Sequence, residues 1–318
     1  MPSPLSSQRR ATLLIIGCGD VGLRVLKLLS AAWTVRVLTS SPERLPQLRA
    51  AGALPLLGNL DEPSTLGRLG ALADHVLHLA PPPGNGSADL RTAHLLRALA
   101  RGGRCSHLVY ASTTGVYGDC GGAWVDETRT PNPETDRARR RVDAEARVRH
   151  FGRHSGCRVS ILRIPGIYAL DREGGDPRER VRRGSPVLQP ADDVYTNHIH
   201  ADDLARACIR ALVAGLPHRA LNVCDDSDLR MGDYFDLVAD LWSLPRPPRV
   251  SRELAKATLP PMMMSFMSES RRLRNDRMKA ELRLALRYPT VREGLAPGPH
   301  TAHLDEQSPT PAAVLTGR

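Results

Sequence analysis

The sequence predicts an α/β fold, a doubly wound parallel sheet with a smaller C-terminal lobe over a substrate. Two observations carry this. The apolar run Leu13-Leu14-Ile15-Ile16 breaks at Gly17-Cys18-Gly19-Asp20-Val21-Gly22 and passes into a helical pattern from Leu23 to Ala31. Further on, extended apolar runs alternate with helical ones as far as Ala111, the spacing of βαβ units.

The first turn explains itself residue by residue. Gly17 lets the chain reverse sharply, Gly19 lets backbone approach a pyrophosphate, and Gly22 lets the helix pack closely on the strand. The N-terminus of the helix then faces the phosphates. In this strand-to-helix setting the segment from Gly17 to Gly22, with Cys18, Asp20 and Val21, reads as a dinucleotide contact. The plainer reading is an ordinary tight strand–helix turn.

Thr34–Leu38 reads as the second strand. A strand that ends in Asp or Glu suits the ribose 2′-hydroxyl of NAD. Here the end is Thr39-Ser40-Ser41-Pro42-Glu43-Arg44. Small hydroxyls with Arg44 nearby suit a 2′-phosphate better, which favours NADP over NAD. Glu43 argues the other way, although it stands beyond Pro42. Ser41-Pro42 also reads as a helix N-cap followed by Pro in the first turn. Ala53–Leu57 is a third strand and residues 63–69 a short helix. Asp74–Ala80 is a fourth strand, closed by prolines. Ser87 to Arg101 is helical, with Leu90, Ala93, Leu95, Leu96 and Leu99 as its stripe. Ser106–Ala111 is the fifth strand.

Bulk properties bound the partners. The chain has 318 residues and a formal net charge of +10. Of its 44 basic residues all but Lys27, Lys256 and Lys279 are Arg, and they are scattered along the chain. Scattered charge makes nucleic-acid binding a distant alternative and favours a small anionic ligand. None of the six cysteines forms a C-x-x-C pair, so free thiols in a reducing compartment, the cytoplasm, are expected. Arg9-Arg10 and the apolar run after them are too short for a signal peptide, and no stretch is long enough to span a membrane.

The segment Tyr110-Ala111-Ser112-Thr113-Thr114-Gly115-Val116-Tyr117-Gly118-Asp119 resembles the fifth-strand motif of extended short-chain dehydrogenases/reductases, the epimerase and dehydratase group. Gly58-Asn59-Leu60 is similar to the family's adenine-contacting Gly-Asp-Leu turn. Leu79-Ala80-Pro81 stands where its Leu-Ala-Ala segment lies beside the cofactor. Arg163-Ile164-Pro165-Gly166-Ile167-Tyr168 resembles the exit of the sixth strand, which flanks the nicotinamide. Residues 197–205 resemble its Val-His-Val-Asp-Asp-Val-Ala segment. Lys279 to Gly294, with Tyr288-Pro289, resembles a degenerate C-terminal motif. The likeness spans about residues 11–295 and implies a Rossmann-type domain, an NAD(P) cofactor with contacts at Asn59, Leu60, Ala80, Pro81 and Pro165, and hydride transfer. It suggests a sugar nucleotide as the anionic substrate. The opening glycine spacing departs from the extended type, which marks an atypical branch.

The catalytic segment departs further. The family's reaction uses Tyr and Lys four apart on one helix face, with a Ser or Thr hydroxyl between substrate and phenol. Thr113 matches the hydroxyl. Counting back from Glu145, Arg137 and Arg141 occupy the Tyr and Lys positions, and a register shifted by one gives Asp136 and Arg140. Arg holds its proton near neutral pH and cannot replace the phenol. Two readings stay open: an enzyme using another acid (Asp136, Tyr117 or Tyr168) and a cofactor-binding scaffold or redox sensor without chemistry. The helix from Glu134 to His150 is expected to carry solvated i,i+4 pairs, Glu145 with Arg141 and Arg149 and Asp143 with Arg139 and Arg147. In the family this helix and its predecessor often build a homodimer.

Arg158–Ile164 is the sixth strand, and Asp171 to Arg183 a charged loop and short helix. His198-x-His200 suggests a metal pair, but a strand running into a helix capped by Asp202-Asp203 accounts for it better, and no metal is expected. The helix spans Leu204–Val213, Ala220–Cys224 is the last strand, and Met231 to Leu241 a helix. Pro245–Arg249 is a stiff connector. The methionines at 262–264 and 267 read as lobe core or pocket lining. Ser268 to Asn275 offers hydroxyls and guanidinium groups to an anion, or a solvated helix face. The lobe is expected from about residues 165–200 and 225–295. Residues 1–10 read as a flexible N-terminus and 296–318 as a disordered tail.

Overall fold

The computed structural model describes residues 11–29 and 31–297. The expectations for residues 1–10 and for the tail beyond 297 lie outside the described residues. The main-sheet strands are β1 Ala11–Ile16, β2 Trp33–Thr39, β3 Leu54–Leu57, β4 His75–His78, β5 His107–Thr113, β6 Arg158–Ile164 and β7 Arg219–Asn222. They form one seven-stranded sheet in the order β7-β6-β5-β4-β1-β2-β3. Every pairing in it is parallel. The order reverses between β1 and β4, and a doubly wound sheet opens its ligand crevice there, at the carboxyl ends of the strands.

The helices are α1 Asp20–Leu28, α2 Leu45–Ala50, α3 Leu90–Gly102, α4 Asp136–Ser155, α5 Pro177–Arg182, α6 Ala201–Ala214 and α7 Met231–Leu241, with shorter ones beyond. α1 and α6 cover one face of the sheet, where Val25, Leu26, Leu204, Cys208 and Leu212 pack on Leu13, Ile15 and Val109. α3 and α4 cover the other, where Leu95, Leu99, Ala144, Val148 and Phe151 meet Leu14, Leu108 and Ile161. Strands buried on both faces read as continuous apolar runs, which is why β1 is legible in the sequence.

A separate apolar cluster forms the lobe from Val181, Val187, Leu188, Val194, Tyr234, Phe235, Val238 and Met267. Met263 and Met264 pack against it. Among the described residues, four two-stranded ribbons stitch the lobe and its loops together, including His198–His200 beside Gly166–Tyr168 and Arg272–Leu273 beside Trp124–Val125.

Several expected boundaries move for local reasons. The expected helix over 63–69 is instead two 3-10 turns, Pro63–Leu66 and Leu69–Ala71. α3 starts at Leu90 because Asp89 caps it, accepting from the Thr92 N–H at 2.9 Å. Ser41 stands at an N-cap position but makes no side-chain cap. α6 is capped by His200, whose Nδ1 accepts from the Asp202 N–H at 3.2 Å. Asp203 is instead fully buried, accepting from the backbone N–H groups of Arg287 and Tyr288 at 2.8–2.9 Å, and so ties the C-terminal segment to the sheet. All six cysteines are free and buried.

Candidate functional site

The glycine turn after β1 forms the floor of a groove. Gly17 has φ +81°, and a Cβ there would lie 2.5 Å from the Ala80 backbone. Strands β1 and β4 are neighbours, so the turn must pass directly under the β4 exit. Gly22 faces the Cys18 sulfur, 2.9 Å from where its Cβ would be. Gly19 differs from both: a Cβ there would meet nothing within 4 Å. Its space opens at the N-terminus of α1, where unpaired N–H groups and the helix dipole favour an anion. The cradle fits a pyrophosphate. Asp20, beside it, is neutralised by Arg24 at 3.1 Å and Arg172 at 3.2 Å.

Of the other expected cofactor contacts, Thr39, Ser40, Arg44, Asn59 and Leu60 fall along the β2–β3 edge. Arg44 reaches back over the turn and donates from Nη2 to the Cys18 carbonyl at 2.7 Å. Burial pushes the Cys18 thiol up to about 11, against the pull of the Arg44 charge. Thr39 is buried and its Oγ1 accepts from the Ser41 N–H at 3.2 Å, while Ser40 is exposed. Asn59 spends its amide on its own turn, accepting from Asp61 N–H and donating to Glu62. Leu60 is buried and its carbonyl meets His94 Nδ1 at 2.7 Å. Ala80 and Pro81 follow β4, and Pro165 follows β6.

The arginines of α4 reach different parts of the site. Arg141 donates from Nη1 to the Ala111 carbonyl at 2.7 Å and to the Tyr110 hydroxyl at 3.0 Å. Arg137, one turn earlier, opens into the groove and makes no hydrogen bond or ion pair with the described residues. The shifted register points elsewhere: Arg140 donates to the Gly86 carbonyl and Asp136 is exposed beside Arg139. Arg137 is exposed along the groove, and its pKa is lowered by partial desolvation first and then by the charges of Arg141 and Arg140.

Glu145 is not on a solvated face, which corrects that expectation. It is 1% exposed and accepts from Arg163 at 2.8 and 3.1 Å, from Ser112 Oγ at 2.7 Å and from Arg149 at 3.1 Å. Burial pushes its carboxyl up, but Arg163, Ser112 and Arg149 outweigh burial and hold it below the ordinary glutamate value. Arg163 also donates to the Tyr117 hydroxyl at 2.9 Å, and that hydroxyl donates to Asn222 Oδ1 at 2.8 Å. Of the expected pairs, Asp143–Arg147 and Glu145–Arg149 form, whereas Arg139 turns to Asp136 and Arg141 to the groove.

At its far end the groove, about 250 Å³, runs into a cavity of about 510 Å³ under the lobe. Thr113, Arg137, Pro165, Ile167 and Arg172 line both. The cavity adds Arg180 and Arg271 as cations and Glu269 as a carboxylate, and Glu269 is engaged by Arg271 at 2.7 Å. Arg180 lies over the Phe235 ring at 4.4 Å, donates to the Pro186 carbonyl and meets no carboxylate among the described residues. Its pKa is lowered, chiefly by burial and then by Arg183. His198, stacked on Tyr234 at 4.0 Å, has a buried Nδ1 without a partner, and burial pushes its pKa down to about 3.

The three expected substitute acids stand outside this junction. Tyr117 is sealed in the Glu145 network, Tyr168 is buried with its hydroxyl toward the Thr290 carbonyl at 3.4 Å, and Asp136 faces solvent. The charged loop and short helix expected over Asp171 to Arg183 supply Arg172 and Arg180 to the cavity, whereas sequence reasoning missed Tyr195 and read His198 only as half of a metal pair. From the segment Ser268 to Asn275, Glu269 and Arg271 reach the cavity. Among the described residues no group of three or more His, Cys, Asp or Glu could hold a metal. Among them no helix is long and apolar enough to cross a membrane.

The comparisons with known proteins agree with this geometry. A family model described as NAD(P)H-binding matches residues 17–214. A functionally unknown conserved protein of Silicibacter pomeroyi, solved as a structure, is 33% identical with a TM-score of 0.77, over 93% of this chain and 99% of that one. GDP-6-deoxy-D-mannose reductase of Pseudomonas aeruginosa is 28% identical over 247 residues, 70% of this chain and 77% of the reductase. UDP-glucose 4-epimerase of Thermotoga maritima, solved with UDP-glucose, is alike in fold, with 20% identity and a TM-score of 0.72 over 89% and 96% of the two chains.

Proposed function

This chain belongs to the NAD(P)H-binding family, and on that premise we propose that its groove holds NADP(H) and presents the nicotinamide to an anionic substrate in the cavity beneath the lobe. The continuity of groove and cavity at Thr113, Arg137 and Pro165 carries this reading. When bound, the dinucleotide supplies hydride chemistry at C4 of its nicotinamide. The chain's own residues do the rest. Gly17, Gly19 and Gly22, with Cys18, Asp20 and Val21, shape the pyrophosphate cradle. Arg137 and Arg180, which meet no carboxylate among the described residues, draw the substrate's negative charge into the cavity, a chemistry that suits a sugar nucleotide. In this reading the Thr113 hydroxyl, which lines both groove and cavity, hydrogen-bonds a reacting oxygen, and Arg137 holds negative charge that develops on it. Neither is a net proton source, so the proton comes from solvent or from a hydroxyl of the ligand.

NADP is favoured over NAD because Arg44 is anchored beside the turn at the end of β2, with small hydroxyls at Thr39 and Ser40 and no carboxylate at the strand end. Calorimetric titration with NADPH and NADH tests both claims. Both binding, with NADPH tighter, is expected. Arg44→Ala is expected to cost NADPH about tenfold and to leave NADH nearly unchanged. Absence of binding by either refutes the groove assignment, and equal loss for both refutes the role of Arg44.

One observation favours a second reading. Arg137 and Arg141 fill the positions of the proton relay, so the protein can hold a cofactor and a ligand without turnover, as a scaffold or sensor. NADPH consumption measured by fluorescence across sugar nucleotides and small carbonyls separates the two. Six unpaired buried thiols suit a reducing compartment such as the cytoplasm. The exposed face of α3 and α4 is the surface a homodimer would use.

A further inference from the structure

We infer that the nicotinamide end of the groove discriminates by charge, holding the reduced cofactor in preference to the oxidised one. This rests on the groove reading above. The oxidised ring carries a positive charge and the reduced ring carries none, while the rest of the two molecules is the same. The selectivity therefore depends on the charges around the junction between groove and cavity.

Those charges are unbalanced. Arg137 lines the junction with no hydrogen bond or ion pair to the described residues. Arg141 is held only by neutral oxygens, the Ala111 carbonyl and the Tyr110 hydroxyl. Arg172 is opposed by Asp20, and Arg24 beside it by Asp20, Asp171 and Asp202, so that corner of the groove carries no excess positive charge. The other carboxylates nearby are already committed. Glu269 is taken by Arg271, and Glu145, buried one turn below Arg141, is taken by Arg163 and Arg149. Two guanidinium charges are left over where the ring would sit.

The residue type makes the imbalance permanent. A lysine in a crowded cationic wall can shed its proton, whereas a guanidinium keeps its charge throughout the working pH range. At the effective dielectric of a protein surface cleft, one unpaired charge disfavours a like charge nearby by on the order of tenfold. Tenfold tighter binding of the reduced form raises the potential of the bound two-electron couple by about 30 mV. The site then stays loaded when the reduced pool is high and releases the cofactor once it is oxidised. A cycle that parks an oxidised cofactor between turnovers is disfavoured by the same wall.

Competitive fluorescence titration of the full chain with NADPH and NADP+, repeated with NADH and NAD+, tests the inference as a ratio of dissociation constants. The ratio cancels every contact to the adenine, ribose and phosphates. The expected ratio is at least tenfold in favour of the reduced form for both pairs. Arg137→Gln, which removes a side chain without protein partners, is expected to bring it to within about threefold, and Arg141→Gln to lower it. Arg153→Gln, at the far end of α4, serves as the control and is expected to leave it unchanged. A wild-type ratio within twofold, with both forms bound, overturns the charge selectivity while the groove assignment stands. A ratio that survives Arg137→Gln and Arg141→Gln together also overturns it. Failure of all four dinucleotides to bind overturns the groove assignment, and the selectivity with it.

Discussion

Two glycines two residues apart do different work, and single substitutions separate them. Gly17 turns at φ +81° against the Ala80 backbone, so an added Cβ meets both left-handed strain and a clash. Gly17→Ala is expected to destabilise the fold by about 3 kcal/mol in chemical denaturation. Gly19 has φ −81° and open space where a Cβ would go. Gly19→Ala is expected to leave stability within about 0.5 kcal/mol and to weaken dinucleotide binding at least tenfold. An unfolded Gly19→Ala, or one that binds normally, contradicts the view that this space is kept for a ligand. The motif was legible as a pattern, yet the pattern alone does not tell the two glycines apart. The difference arises from β4, some sixty residues later, which places Ala80 over one and leaves the other clear.

At the scale of elements, α4 shows what local sequence conveys and what it leaves out. The helix itself is readable from its charged i,i+4 spacing, although it starts at Asp136, after the cap at Thr135, and ends at Ser155. Which carboxylate would be buried was not, because burial of Glu145 is decided by Arg163 arriving from β6 and by Ser112 from β5. The network pins α4 to the sheet one turn beyond Arg141 and so sets where Arg137 projects. Glu145→Gln leaves the Arg163 guanidinium buried without its counter-charge, and is expected to cost about 3–5 kcal/mol. The sign with pH follows from the lowered carboxyl. Its stabilisation is complete above the unfolded glutamate pKa near 4.3 and is lost as pH falls through the lower folded value. Wild type and Glu145→Gln should therefore converge in urea titrations as pH drops below about 4. A constant gap down to pH 3 would show that packing, and not the ion pair, is what the substitution removes. The lobe residues were the least legible: Arg172, Arg180 and Tyr195 meet only because short ribbons fold distant segments onto one cavity.

Across the whole molecule, buried titratable groups without counter-charges shape the dependence of stability on pH, and two of them act in opposite directions. His198 is pushed down to about 3 by burial, so below pH 6.5 the unfolded chain takes a proton that the folded one refuses. Stability drains away at up to about 1.4 kcal/mol per pH unit as pH falls through that window. Asp225 is pushed up to about 7, chiefly by burial, and its Oδ2 has no partner. Between about pH 4 and 7 the folded chain keeps a proton that the unfolded chain has lost, so this group's contribution declines as pH rises and levels off above 7. The two slopes meet on the same floor of the lobe, where the Asp225 N–H donates to the His198 carbonyl at 2.8 Å. His198→Phe keeps a ring against Tyr234 and removes the titration, and is expected to gain on wild type as pH falls from 6.5 to 4.5. Asp225→Asn is expected to gain on wild type as pH rises from 4.5 to 7 and to hold that gain at pH 8. Denaturation midpoints at four pH values give both comparisons. If each variant ran parallel to wild type at every pH, neither group would change protonation on unfolding, and the pH sensitivity of the fold would have to come from its other titratable groups, such as the buried His78 and the paired carboxylates.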